Sequence, residues 1–168
     1  MVLSKTNIHV VQEISIDFQE EKMRRAINDR NVLFLCEDNA LLSQMAEAAA
    51  KHLAPPKTRI FSAGVKPGRI PPAVIKAMNE IGIPIAGQKS KSLDEVPIDE
   101  IDLVVSFGDA HKQCSNLPGR AKIESWPVTD EFKHKKSEGE DLDALRDERD
   151  DIEKRVFALF MDYWRNVA

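Results

Sequence analysis

The segment NVLFLC, residues 31–36, is a continuous apolar run of strand length, followed by a tight polar loop and then by a helix. A strand that is apolar on both faces fits a parallel sheet covered on both sides. The helical stretch LLSQMAEAAAKHLA spaces Leu42, Met45, Ala46 and Ala49 along one face and stops before Pro55 and Pro56. The alternation then continues. TRIFSAG reads as a second strand ended by Gly64, and PPAVIKAMNEIGI as a helix opened by proline with Val74, Ile75, Met78 and Ile81 on one face. IDLVVSF is a third apolar strand ended by Gly108, and AKIESWPV a fourth, edge-like one ended by Pro127. LDALRDERDDIEKRVFALFMDYWRNVA closes the chain as a long helix with Ile152, Val156, Leu159, Phe160 and Tyr163 as its apolar stripe. Strands alternating with helices restrict the fold class to α/β, a three-layer sandwich with a central parallel sheet and helices on both sides.

At 168 residues the chain can bury one substantial core. Residues 31–168 are expected to form that domain, and residues 1–30 an N-terminal extension. Within the extension Ile8, Val10, Ile14, Ile16 and Phe18 come partly at period two, and FQEEKMRRAINDR reads as a short polar helix. This segment is either an appendage packed on the domain or a tail that meets a partner. DEFKHKKSEGED is a charged loop before the last helix, whose own charges are most simply a solvated face.

The bulk numbers exclude several classes. A net charge of -4 gives no basic stripe for nucleic acid, and no apolar run is long enough to span a membrane. The N-terminus has no secretory signal pattern. Two cysteines, Cys36 and Cys114, are too few for a disulfide framework, so a reducing cytoplasm is the expected location. No GxGxxG or Walker-type motif supports a nucleotide cofactor, and no cofactor of any kind is expected. His52, His111 and His134 lack partners at metal-ligand spacing and read as surface histidines, with no metal site. Trp126 and Trp164 fall in apolar patterns and read as core residues.

Cys36 is the residue with chemistry in reach. Alone in an apolar strand it would read as a small buried residue without a role. Its place at the strand's carboxyl end, before a loop that feeds a helix N-terminus, gives it another reading. Backbone N–H groups converge there, and the helix dipole favours an anion and lowers a thiol pKa.

The run VLFLCEDNALLSQMAEA resembles the signature of the low-molecular-weight protein tyrosine phosphatases and the related thioredoxin-coupled arsenate reductases. Their loop is a cysteine, five residues, an arginine and a serine. The likeness continues in the family's order through FSAGVKPG, PPAVIKAMNEIGI and IDLVVSF to WPVTD, over roughly Asn31 to Asp130. The resemblance makes Cys36 the nucleophile, Ser43 the hydroxyl that supports its thiolate, and Asp130 the general acid, although Glu131 stands where a proline usually follows. It makes Glu37, Asp38, Asn39, Ala40, Leu41 and Leu42 the anion-binding loop, with Asn39 holding its shape. Leu42 takes the arginine's position, and Asp38 that of a glycine.

Leucine cannot grip two oxygens with a planar fork, and carboxylates beside the thiol oppose both a thiolate and an incoming dianion. A phosphate-like anion is therefore expected to bind weakly or not at all. The resulting expectation is an inactive or severely impaired family member that serves as a binding or regulatory module, with a protein partner left open. The alternative is an active phosphatase or arsenate reductase that uses an arginine from elsewhere, Arg24, Arg25 or Arg69. Cys114 lies where arsenate reductases of this type carry resolving cysteines, which makes it a candidate redox partner for Cys36. Those enzymes typically use three cysteines, and this chain has two.

Overall fold

The computed structural model describes residues 30–129, 132 and 141–167, with side chains up to Met161. The N-terminal extension up to residue 29 and most of the charged loop, Asp130 and His134 included, lie outside the described residues. So does the side chain of Trp164. The elements run β1 (Asn31–Cys36), α1 (Leu42–Leu53), β2 (Arg59–Gly64), α2 (Pro72–Glu80), β3 (Leu103–Phe107), β4 (Lys122–Trp126) and α3 (Leu142–Val167). Every helix and strand read from residue patterning in this part of the chain is present.

The four strands are parallel, in the order β2-β1-β3-β4. The apolar strands β1 and β3 take the centre, where both faces are covered. The polar-studded KIESW of β4 takes an edge, with Lys122, Ile123 and Glu124 facing outward to varying degrees. Alternation along β1 divides the core in two. Val32, Phe34 and Cys36 point to one face, where Met45, Ala46 and Ala49 of α1, Val74 and Met78 of α2, and Leu145, Ile152 and Val156 of α3 cover them. Leu33 and Leu35 point to the other. Trp126 seals the first core edge-on against Phe107, ring centres 5.7 Å apart.

The second face differs from the expected layer of helices. Leu93, Val96 and Ile101 cover it from two short 3₁₀ turns, Leu93–Glu95 and Ile98–Glu100, joined by Ala110 from a third. Pro97 between the first two removes an N–H and prevents a continuous α-helix there. The layer is present, but thin. No helix among the described residues is long and apolar enough to cross a membrane.

The strand order places β1 where the winding reverses, with β2 on one side and β3 on the other. In such sheets the crevice beyond the carboxyl ends is where a ligand enters. Cys36 pairs with Gly64 and Leu35 with Ser106, so three strands end level at that crevice.

The long helix α3 is fastened to α2 by charge as well as by its stripe. Arg146 grips Glu80 with two parallel hydrogen bonds, Nε to Oε2 at 2.9 Å and Nη2 to Oε1 at 2.7 Å. Arg149 adds Glu80 at 3.2 Å and the Ala77 carbonyl at 2.8 Å. The Arg146 hydrogen bonds hold the Glu80 carboxyl down at about 2, below its usual 4.5. A depressed carboxyl contributes stability above its unfolded pKa and loses it as pH falls toward the folded value. Glu80→Gln should therefore lower the melting temperature at neutral pH, with the gap to wild type closing between about pH 4.5 and about pH 2. Thermal melts of both proteins across that range check this.

Candidate functional site

The loop between β1 and α1 is built from its carbonyls outward. The Cys36 carbonyl accepts from Val65 N–H at 3.2 Å, that of Glu37 from Lys66 at 2.8 Å, and that of Asp38 from Gly68 at 2.7 Å. Ser90 Oγ donates to the Asp38 carbonyl as well, at 3.0 Å. With these carbonyls engaged by the 65–68 segment, the next amide, that of Asn39, faces the sulfur. Asn39 N–H donates to Cys36 Sγ at 3.2 Å. Gly64 makes this approach feasible, since a Cβ there would lie 2.7 Å from Asn39 N and 2.8 Å from the Asp38 carbonyl carbon.

Asn39 is the pivot of the loop. Its φ of 48° lies in the left-handed region, which asparagine tolerates better than most residues. Its buried amide uses all of its hydrogen-bonding capacity. Nδ2 donates to Ser43 Oγ and to Ser62 Oγ, each at 2.9 Å, while Oδ1 accepts from Gln44 Nε2 at 2.9 Å and Lys91 N at 2.8 Å. Ser62 Oγ donates to the carboxylate of Glu47, a buried group that also pairs with Lys51 at 2.6 Å and Lys91 at 3.3 Å.

These donations orient the hydroxyl next to the thiol. Ser43 Oγ lies 2.8 Å from Cys36 Sγ and accepts from Asn39, which leaves its own proton available to the sulfur. Two donors therefore favour a thiolate. Against them stands Asp38, whose Oδ1 is 3.7 Å from Sγ and accepts from the thiol. Burial, the largest influence, and the Asp38 charge push the Cys36 thiol above its ordinary value, with Ser43 and Asn39 acting in the opposite direction. Asp38 Oδ1 also accepts the Ala40 N–H at 3.1 Å.

Beyond the sulfur lies a cleft of about 910 Å³, bounded by loops from the carboxyl ends of all four strands. Leu41, Leu42, Phe107 and Val128 form an apolar wall, while Glu37, Asp38, Lys66 and Arg69 supply charge. Leu42, the first residue of α1, is buried at 7% exposure in the face-one core. The helix has no side-chain N-cap and no acidic residue in its first turn, so its N–H groups are left to the loop.

Of the residues singled out from the sequence, Cys36, Asn39 and Ser43 meet in one hydrogen-bonded group, with Asp38 and Ala40 beside it. Cys114 packs against the opposite core, that of Leu33 and Leu35, and both cysteines are free thiols. His111 is tied down, its ring Nδ1 2.9 Å from the buried Ser106 Oγ. Sequence reading passed over Ser62, Gln44, Glu47 and Lys91. The signal existed: Gln44 and Glu47 are polar residues within the most apolar stretch of α1, and Ser62 sits mid-strand. Among the described residues no group of three His, Cys, Asp or Glu side chains is arranged to hold a metal ion.

A cysteine under a β–loop–α turn, at the switch point of a parallel sheet, is the arrangement that the resemblance to the phosphatases and arsenate reductases implied. Residues 31–163 match the family described as low molecular weight phosphotyrosine protein phosphatase, and the chain belongs to that family. The arsenate reductase of Bacillus subtilis is 34% identical over 131 residues, 77% of this chain and 94% of that protein. A solved arsenate reductase in the phosphate binding state shares 31% identity with a TM-score of 0.63, over 79% of this chain and 98% of that one. One from Archaeoglobus fulgidus shares 30% with a TM-score of 0.60, over 77% and 98%.

Two measurements test the site as built. Asn39→Ala strains the left-handed backbone and strands buried hydroxyls and amides, so urea denaturation should show a loss of about 3 kcal/mol or more. For the thiol, iodoacetamide modification of Cys36 in a Cys114→Ser background should be slow at neutral pH. Its midpoint should lie above that of an ordinary thiol.

Proposed function

We propose that this family member has lost, or nearly lost, phosphoryl and arsenate chemistry and acts as a binding or regulatory module for a protein partner. The observation that carries this reading is Leu42, a buried aliphatic side chain at the loop–helix junction where the resemblance places the anion-gripping arginine. In phosphoryl transfer, a comparable arginine is worth on the order of 10³ to 10⁵ in rate. Neither the raised thiol nor the carboxylate of Asp38 beside it offsets such a loss. Both act the same way, since a neutral thiol is a poor nucleophile and a carboxylate repels a dianion.

One observation favours the second reading, an active enzyme with an arginine from elsewhere. Arg69 lines the same cleft as Cys36, on the segment that clamps the loop. Arg24 and Arg25, the other candidates, lie outside the described residues. Asp130, the general acid implied by the resemblance, lies outside them too.

Hydrolysis of an aryl phosphate by the full chain should stay at background in wild type and rise in Leu42→Arg. Burial of Leu42 contributes about 1.5–3 kcal/mol, so the variant's melting temperature must be measured alongside. Robust wild-type turnover that is lost in both Cys36→Ser and Arg69→Ala would establish the second reading instead.

A further inference from the structure

A loop of this kind turns N–H groups inward to meet an oxyanion, and inward-facing amides without a partner are costly when buried. The structure therefore has to account for them. Asn39 N–H is taken by the Cys36 sulfur. Ala40 N–H, the next along the loop, is taken by a carboxylate oxygen, Asp38 Oδ1 at 3.1 Å, and the Cys36 thiol points to that same oxygen at 3.7 Å. The backbone around Asp38 is fixed independently of its side chain. Its carbonyl is held by Gly68 N–H and Ser90 Oγ, and its Cβ rests 3.4 Å from where a side chain on Gly68 would begin. Glu37, one residue earlier and also a carboxylic acid side chain, is exposed and lines the cleft without a hydrogen bond of this kind.

We propose that Asp38 is the loop's resident anion: its carboxylate takes the place an incoming oxyanion would need, so the loop keeps its inward-facing form with no ligand bound. This rests on the reading that the loop admits no external dianion, and gives that exclusion a cause beyond the missing arginine. Mere repulsion would act through charge alone, so Asp38→Asn and Asp38→Ala, which remove the same charge 3.7 Å from the sulfur, would behave alike. Occupancy makes them different. Only Asp38 supplies an oxygen to an amide of the loop, so only its removal vacates a position. The site is then closed sterically and by hydrogen bonding, as well as by charge.

The test is thermal melting of the full chain in inorganic phosphate, against chloride at matched ionic strength, for wild type, Asp38→Ala, Asp38→Asn and Glu37→Gln. Ligand binding to the folded state stabilises it by RT ln(1 + [L]/Kd), and the melting temperature rises accordingly. Asp38→Ala should melt below wild type in chloride and recover in phosphate, with a rise of roughly 3 °C or more once phosphate is about tenfold over its Kd. Asp38→Asn keeps an acceptor oxygen and Glu37→Gln removes only charge, so both should stay nearly as flat as wild type. A flat Asp38→Ala overturns the proposal. So does an Asp38→Ala protein that unfolds and is not rescued by phosphate, or an equal rise in Asp38→Asn or Glu37→Gln, which would assign the exclusion to repulsion. The reading beneath it fails separately: in that case wild type itself is stabilised at low-millimolar phosphate.

Discussion

The loop depends on one side-chain amide. Asn39 sits in a left-handed conformation that costs energy for a residue with a Cβ, and that twist brings its N–H under the Cys36 sulfur. The cost is offset by four hydrogen bonds, which tie α1, β2 and the 89–91 segment to a single point. A buried polar network is favourable only when every member is satisfied, because the low dielectric that strengthens each bond also penalises each vacancy. Here Gln44 completes the set. Its Nε2 also reaches the carbonyls of Asn39 and Lys89, and Gln88 caps its Oε1 at 2.7 Å. The network extends to the protein surface through Ser62, Glu47 and the two lysines.

The charge on Glu47 illustrates the same logic. A carboxylate buried in a helix–sheet interface would be expensive alone. It is held by a serine hydroxyl on one side and two ammonium groups on the other, each lysine keeping part of its length exposed. Its position four residues after Ser43 places both on the same side of α1, over the end of β2. One helix face thus delivers the hydroxyl for the thiol and the anchor for the residue that orients that hydroxyl.

Much of this was legible in the sequence, and the boundary has a physical meaning. Apolar runs, proline stops and terminal glycines mark strands and helices because burial and backbone geometry are local demands. NVLFLC, IDLVVSF and the stripe of Ile152 and Val156 satisfy them within a few residues. The loop's cysteine, asparagine and serine were also within reach, since eight residues, 36–43, hold all three. The partners that come from afar were not: Ser62, Lys91 and Gly64 meet Asn39 only after β2 pairs with β1. Likewise the thin second layer follows from Leu93, Val96 and Ile101 docking against β1 and β3, which no periodicity in SLDEVPIDEI announces. Acidic residues in the loop could be read as a charge, but not as a hydrogen-bond acceptor.

The frame and the chemistry of this loop rest on different interactions, and that separates their fates. The carbonyls of residues 36–38, the amide of Asn39 and the glycine at 64 hold the loop by backbone pairing and neutral hydrogen bonds. None of these passes through Leu42. An arginine at that junction would act on the transferred group, in the transition state, and contribute nothing the resting scaffold requires. Leu42 instead joins the core that α1 already covers, and an aliphatic side chain there is well suited to that place. The proposed loss of dianion binding therefore requires no change in the shape of the loop. On the proposed reading Asp38 completes the separation, because its carboxylate already accepts the Ala40 N–H that a ligand would otherwise have to satisfy.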